Sequence, residues 1–352
     1  MNRRATTLAL LAAMTCALTV QSLPVAADAQ CKLILVEEWK VRWVNGHILI
    51  DGAINGQPVG VMLDTGATRT IIFRSAAARL GLLARWSKSD SMQGVGGPSQ
   101  LSSAYVEEFR LGQSTRKGWR MIIAGEHDVG ADFAVVLGED FFRQFDVEFD
   151  LPDNAVRLFQ SRDCSGQPLA YWNEAGADQL RFESSDLQPQ ILVPVRLNGN
   201  AISAVLDSGA SSTLVNKIVA ARLGVNPDSP NVVYGGKGSG IGEELVDRWI
   251  APFDRLEIGK EIISNPKIEL AELGRATALA GLGTETPMLL GLDFLRSHRV
   301  LVAHSQRKMY FTHDGAKPPG AEKRAEAACN KDVDCGAKSD CSSRECPPSA
   351  NK

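Results

Sequence analysis

Hydrophobic and polar positions in this chain fall into short runs separated by turn residues. Lys32 to Val36 and Val41 to Val44 read as short strands. Ile48 to Ile54 alternates or runs apolar, Asn55-Gly56 supplies a turn of the type I′ kind, and Val59 to Leu63 returns as the second arm of a hairpin. Asp64 to Thr68 then forms a tight loop, and Thr70-Ile71-Ile72-Phe73 is strand-like again. Ser75 reads as the N-cap of a short helix over Ala76 to Leu80, with Gly81 at its C′ position.

The same order recurs 143 residues later. Ile48 to Leu82 lies over Ile191 to Val225 without a gap, and 14 of the 35 pairs are identical. Asn55-Gly56 meets Asn198-Gly199, Asp64 meets Asp207, and Ala77-Ala78-Arg79-Leu80-Gly81 meets Ala220-Ala221-Arg222-Leu223-Gly224. Two copies point to a pseudo-symmetric pair of lobes rather than a solenoid. Each copy continues into a Gly-rich stretch, Gly94-Val95-Gly96-Gly97 in the first and Gly235-Gly236-Lys237-Gly238-Ser239-Gly240 in the second, flanked by strand-like residues as a mobile hairpin would be. Lys237 is followed by Gly238, not Ser or Thr, which argues against a phosphate loop. Each copy closes on an apolar strand ending at Gly, Val135-Val136-Leu137-Gly138 and Met288-Leu289-Leu290-Gly291, where a missing Cβ admits a second backbone. Terminal hairpins follow around Pro152-Asp153-Asn154 and Ser305-Gln306-Arg307.

Equivalent loops can meet at a pseudo-twofold axis. Asp64 and Asp207 would then face each other, share one proton and titrate as a pair. The charged member can act as general base on a water held between them, while the protonated member hydrogen-bonds the carbonyl under attack. Thr65 and Ser208 offer hydroxyls to brace one loop against the other lobe, and Gly66 and Gly209 permit the tight turn. Ala67 and Ala210 lack a hydroxyl that would lower the carboxylate pKa, so a working pH less acidic than that of a strongly pepsin-like enzyme is expected. A glycosidase needs its two carboxylates in different environments, which equivalent loops do not give. Serine catalysis lacks a Gly-x-Ser-x-Gly elbow. The five histidines (His47, His127, His298, His304, His313) show no metal-ligand spacing and read as surface or packing residues, so no metal and no cofactor are expected.

The apolar-apolar-Asp-Thr-Gly-Ala loop, the Gly-rich hairpin about thirty residues on and the later Gly-x-Asp-Phe run resemble the retropepsin family of aspartic proteases. Over roughly residues 45 to 312 the chain looks like a pepsin-like, two-lobed protein built from retropepsin-sized lobes. The resemblance implies an all-β fold with few short helices, a double-ψ-type barrel in each lobe, and a peptide cleft closed by a flap. It makes Asp64 and Asp207 the catalytic pair and Thr65 and Ser208 the interlocking hydroxyls. The hairpins over 92–98, with Gly94, Val95, Gly96 and Gly97, and over 234–242, with Tyr234, Gly235 and Gly236, become flap candidates. The activity implied is endopeptidase cleavage of a peptide or protein substrate by a monomer. A catalytically silent peptide-binding protein on the same fold is the alternative.

Length and composition agree with this organisation. At 352 residues, two domains are the expectation, and 44% hydrophobic with 22% charged residues fits a globular chain. The net charge of −3, with Lys and Arg scattered, argues against nucleic-acid binding. Arg3 and Arg4, an apolar run to Val20 and Ala27-Asp28-Ala29 have the layout of a secretory signal peptide over 1–29, too short to remain as a membrane anchor. An exported protein, periplasmic or secreted, is therefore expected. The first lobe is assigned to 30–160, a linker to 161–189 with one element near Leu180 to Phe182, and the second lobe to 190–315. A Cys-rich tail takes 316–352. Cys16 leaves with the signal. Cys329, Cys335, Cys341 and Cys346 read as two disulfides of open connectivity, and their spacing lacks the C-x2-C knuckle of a zinc site. Cys31 and Cys164 are left to pair with each other.

Overall fold

The computed structural model describes residues 30–173, 176–273 and 287–313. The segment 1–29 expected to be a signal peptide and the tail with Cys329, Cys335, Cys341 and Cys346 lie outside these described residues. The first lobe comprises β1 (Lys32–Lys40), β2 (Arg42–Val44), β3 (His47–Ile54), β4 (Gln57–Leu63), β5 (Ile71–Phe73), α1 (Arg74–Arg79), β6 (Arg85–Gly94), β7 (Gly97–Leu111), β8 (Ser114–Ala124), β9 (Val135–Leu137), α2 (Glu139–Phe142), β10 (Asp146–Asp150) and β11 (Ala155–Arg162). The second comprises β12 (Asp178–Arg181), β13 (Leu192–Leu197), β14 (Asn200–Leu206), β15 (Leu214–Asn216), α3 (Lys217–Arg222), β16 (Val233–Gly238), β17 (Val246–Pro252), β18 (Arg255–Ile258), β19 (Glu261–Ser264), β20 (Lys267–Ala271), β21 (Met288–Leu290), α4 (Leu292–Ser297), β22 (His298–Ala303) and β23 (Lys308–His313). The fold is all-β, with a few short helices.

Each lobe is built on one crossed motif. In the first, β4 runs parallel to β9 and β5 parallel to β8, while β5 and β9 are antiparallel. In the second, β14–β21 and β15–β20 are parallel and β15–β21 antiparallel. This interleaving gives the ψ-barrel-like arrangement. Strands β5 and β9 are buried at every position, as apolar runs covered on both faces should be. The Asn55-Gly56 and Asn198-Gly199 turns have positive φ at both central residues, the type I′ geometry that suits the twist of a hairpin.

A third sheet joins the lobes, in the order β1-β11-β10-β22-β23-β12. Its middle pair, β10 and β22, is antiparallel, with Glu148 opposite Leu301. The pseudo-twofold axis passes between them, so β11 answers β23 and β1 answers β12. The segment 161–189, read from sequence as linker, thus contributes a strand to this sheet through Asp178–Arg181, paired with β23. Glu148 and Asp150 are buried on the sheet and held by Arg157 and Arg299, which offsets the cost of removing carboxylates from water. Cys31 and Cys164 form a disulfide at the outer end of the first lobe's half.

Two local readings change. Helix α1 begins at Arg74 with extended Phe73 at the N-cap position and no side-chain cap, so Ser75 is inside the helix and its buried hydroxyl has no hydrogen-bond partner. The equivalent of Phe73 in the second lobe is Asn216, which does cap α3 by accepting from the Ile218 N–H at 3.0 Å.

Candidate active site

The strand ends of β4 and β14 carry Asp64 and Asp207 to the axis between the lobes. Their loops are locked together reciprocally. The Thr65 hydroxyl donates to the Leu206 carbonyl (2.6 Å) and accepts from the Ser208 N–H (3.0 Å). The Ser208 hydroxyl donates to the Leu63 carbonyl (3.0 Å) and accepts from the Thr65 N–H (3.0 Å). Both hydroxyl residues are fully buried. Four hydrogen bonds thus fix the two acids relative to each other, whatever the rest of each lobe does.

Each carboxylate receives two backbone donors from its own loop: the Gly66 and Ala67 N–H groups reach Asp64 Oδ1 at 2.9 Å each, and the Gly209 and Ala210 N–H groups reach Asp207 Oδ1 at 2.9 and 3.1 Å. Gly66 and Gly209 have a second job. A Cβ on Gly66 would strike the Asp207 carboxyl, and one on Gly209 would strike that of Asp64. Only a glycine in each loop lets the two acids approach this closely. The side chains hydrogen-bond each other. Burial, then the charge of Asp207 and the hydrogen bond to it, push Asp64 well above the ordinary carboxylate range. Burial raises Asp207 too, against hydrogen bonds from Asp64, Gly209 and Ala210 that favour its charged form. The pair therefore shares one proton over a wide range.

Behind each loop stands a matched prop. The Gly138 N–H donates to the Thr70 hydroxyl, which bonds Asp140, and the Gly291 N–H donates to the Thr213 hydroxyl, which bonds Asp293. Gly138 and Gly291 pass so close to the chain at Ala67–Arg69 and Ser212–Thr213 that a Cβ would overlap backbone. This is the close approach expected for an apolar strand ending at Gly.

The two acids open onto a cleft of about 1260 Å³ between the lobes. Gly94 and Val95 line it, with Gly96 and Gly97 just beyond in the turn between β6 and β7. In the second lobe the 234–242 hairpin divides between its base and its tip. Tyr234, Gly235 and Gly236 sit back along β16, at a bulge, and Tyr234 is exposed with its hydroxyl on Asp247. Lys237 through Ile241, further along the same hairpin, line the cleft. The bulge uses up the flexible glycines Gly235-Gly236, so the tip forms further on. There it meets the other hairpin, where the Gly242 N–H donates to the Val95 carbonyl (3.2 Å) and the Glu244 N–H to the Gly96 carbonyl (3.0 Å), while the Ile241 carbonyl accepts from the Glu126 N–H (3.3 Å) just past β8.

Sequence reading missed three residues beside the site. His47 lines the cleft with Gly209, and burial lowers its pKa. Glu139, the first residue of α2, is fully buried, and neither carboxyl oxygen has a hydrogen-bond partner. Burial, then the charges of Asp64 and Asp140, push it well above the carboxylate range against the pull of Arg143. His304 comes from the other lobe to 3.8 Å from Glu139, and burial with the nearby Arg143 charge lowers its pKa to about 4. One signal was present in the sequence: the repeat places Leu292 opposite Glu139 and Leu151 opposite His304, so both polar residues stand where the other copy is apolar.

A family model described as aspartyl protease matches residues 50–141 and 193–294, one match on each lobe. Among solved structures, similarity extends to a retropepsin-like aspartic protease from Rickettsia conorii, at 15% identity and a TM-score of 0.27 over 38% of this chain and 95% of that one. It extends also to Basic 7S globulin from soybean, at 10% identity and a TM-score of 0.42 over 80% of this chain and 95% of that one. No curated protein matches.

Proposed function

The chain belongs to the aspartyl protease family, and on that premise we propose that it is an aspartic endopeptidase whose reaction is carried by Asp64 and Asp207. One observation bears most of the weight: two buried carboxyls on equivalent loops, hydrogen-bonded to each other and open to a cleft. A water bound between them gives a proton to the ionised member of the pair as its oxygen bonds to the peptide carbon. The protonated member gives its proton to the carbonyl oxygen, which leaves a neutral tetrahedral diol. Collapse of the diol breaks the C–N bond as one proton passes from the pair to the leaving nitrogen and a diol hydroxyl returns one to the pair, which restores its single shared proton. Thr65 and Ser208 hold the geometry, and Gly66 and Gly209 keep the acids close. The hairpin tips at Gly94–Gly97 and Lys237–Ile241 cover an extended peptide bound by backbone pairing. One chain supplies both acids, so a monomer suffices.

The Cys31–Cys164 disulfide supports export to an oxidising compartment, periplasmic or extracellular, as the 1–29 leader does. No helix among the described residues is long and apolar enough to cross a membrane.

The test is to incubate the mature chain with a peptide library between about pH 3 and 7, with Asp64→Asn and Asp207→Asn in parallel. Cleavage lost in both variants supports the reading. Cleavage that persists in both refutes it, and saturable peptide binding with no cleavage by the wild type assigns the silent role instead.

A further inference from the structure

On the far side of the second lobe, three side chains from separate strands converge. His298 opens β22, His313 closes β23, and the two are cross-strand partners. Glu261 opens β19. One ligand atom from each lies within 4.8 Å of the other two. We propose that Glu261, His298 and His313 form a binding site for a divalent transition-metal ion of the zinc class, structural in role and separate from the peptide cleft.

The setting of His298 carries the argument. Its ring is buried, stacked on Phe294 with centroids 4.1 Å apart and edged by Phe311, so it cannot turn away. Its Nδ1 lies 2.8 Å from the Phe294 carbonyl and 2.9 Å from the Ser297 hydroxyl. A backbone carbonyl on one imidazole nitrogen is the arrangement that presents the other as a metal ligand. Its Nε2 faces Glu261 Oε2 at 2.7 Å, and a metal ion would take the place of the hydrogen bond between them. His313 Nδ1 is 3.9 Å from the other Glu261 oxygen, and among the described residues the ion pairs of Glu261 are with these two histidines alone.

Two imidazoles and one carboxylate suit zinc among the divalent ions. Ligands at about 2.0–2.1 Å in a tetrahedron stand roughly 3.3 Å apart. Small rotations of exposed His313 and of Glu261 reach that spacing while His298 stays fixed. The fourth position faces solvent. The ion would tie the β18–β19 hairpin of the second lobe to the end of the shared sheet, where the chain leaves for the Cys-rich tail.

The tail cysteines are a competing ligand source, so the experiment separates them spectroscopically. The full mature chain, thiols alkylated and metal stripped with a chelator, is titrated with cobalt(II) and then zinc(II). Expected are visible bands of a four- or five-coordinate cobalt ion saturating at one equivalent, without thiolate charge transfer, and bleached by zinc. His313→Ala and Glu261→Gln should each weaken binding by at least about tenfold, since even outer partners of a metal ligand are worth that much, with circular dichroism unchanged. Absence of saturable binding, a thiolate band, or equal affinity in wild type and both variants would overturn the site.

Discussion

The two lobes share a motif and differ in how they finish it. In the first lobe β7 and β8 form one long hairpin of 15 and 11 residues. In the second, the same path is broken into β17 and β18 and into β19 and β20. The breaks fall at Pro252 and at Asn265-Pro266, where proline withholds an N–H from the ladder and Asn265 takes a positive φ. Next to the acids the lobes agree nearly atom for atom, while away from them they drift. The constraint on the pair was therefore local: two loops, two props and four crossing hydrogen bonds.

That view can be broken most severely at the acids. If the loops are equivalent in chemistry as in geometry, Asp64→Asn and Asp207→Asn should each lower kcat by roughly 10⁴-fold with the fold intact. A variant retaining near-normal turnover would show that one lobe carries the reaction alone. The disulfide comes next. Among the described residues only the first lobe's half of the shared sheet is stapled, and a cross-link spanning 133 residues removes much denatured-state freedom. Reduction, or Cys31→Ser with Cys164→Ser, should cost about 4 kcal/mol in denaturant unfolding. A negligible loss would make the two halves equivalent after all.

Thr65→Ala and Ser208→Ala test the crossing hydrogen bonds from either side. Each strips a buried carbonyl and a buried N–H of its partner, so each should cost about 2–4 kcal/mol. The two losses should match, and a large inequality would mean the brace is lopsided. The mildest effect concerns the polar pair that breaks the repeat. Glu139 has a raised folded pKa, so its contribution is fully present below the unfolded carboxylate value and is lost as pH rises toward the folded one. His304 has a lowered one, so its contribution is present above the unfolded value of 6.5 and is lost as pH falls toward about 4. In the wild type these slopes oppose each other between about pH 4.5 and 6.5. Glu139→Leu should make stability climb more steeply with pH across that window and His304→Leu should make it decline, each by up to about 1.4 kcal/mol per pH unit. Parallel profiles from urea titrations would show that the pair does not titrate as described.

Much of this was legible in the chain. The gap-free repeat exposed the two loops, and an internal echo of that length makes turn acids into a pair. The hairpin turns, Gly138 and Gly291, and the Cys31–Cys164 pairing were readable because each is written in a few neighbouring residues or in simple counting. Partner choice across the molecule was not. Nothing local to Asp178–Arg181 says that it pairs with β23, and nothing in Glu139 says that His304 arrives beside it. The hairpin tip moved past Gly235-Gly236 because a bulge consumed them, and bulges depend on the opposite strand. The histidines read as isolated because their companions are distant in sequence.

The hydrogen bonds that hold the second hairpin tip to the first lobe set a kinetic and thermodynamic threshold for the cleft. Three backbone bonds close the roof, two to the other tip and one to Glu126, and each is worth about 1 kcal/mol net. Opening it then costs about 3 kcal/mol, so under roughly 1% of molecules admit a long peptide at any moment. A substrate must supply that difference from its own contacts with the hairpin edges. Short or poorly pairing peptides would be refused before they reach the acids, so the cleft would select by backbone extent before side chain.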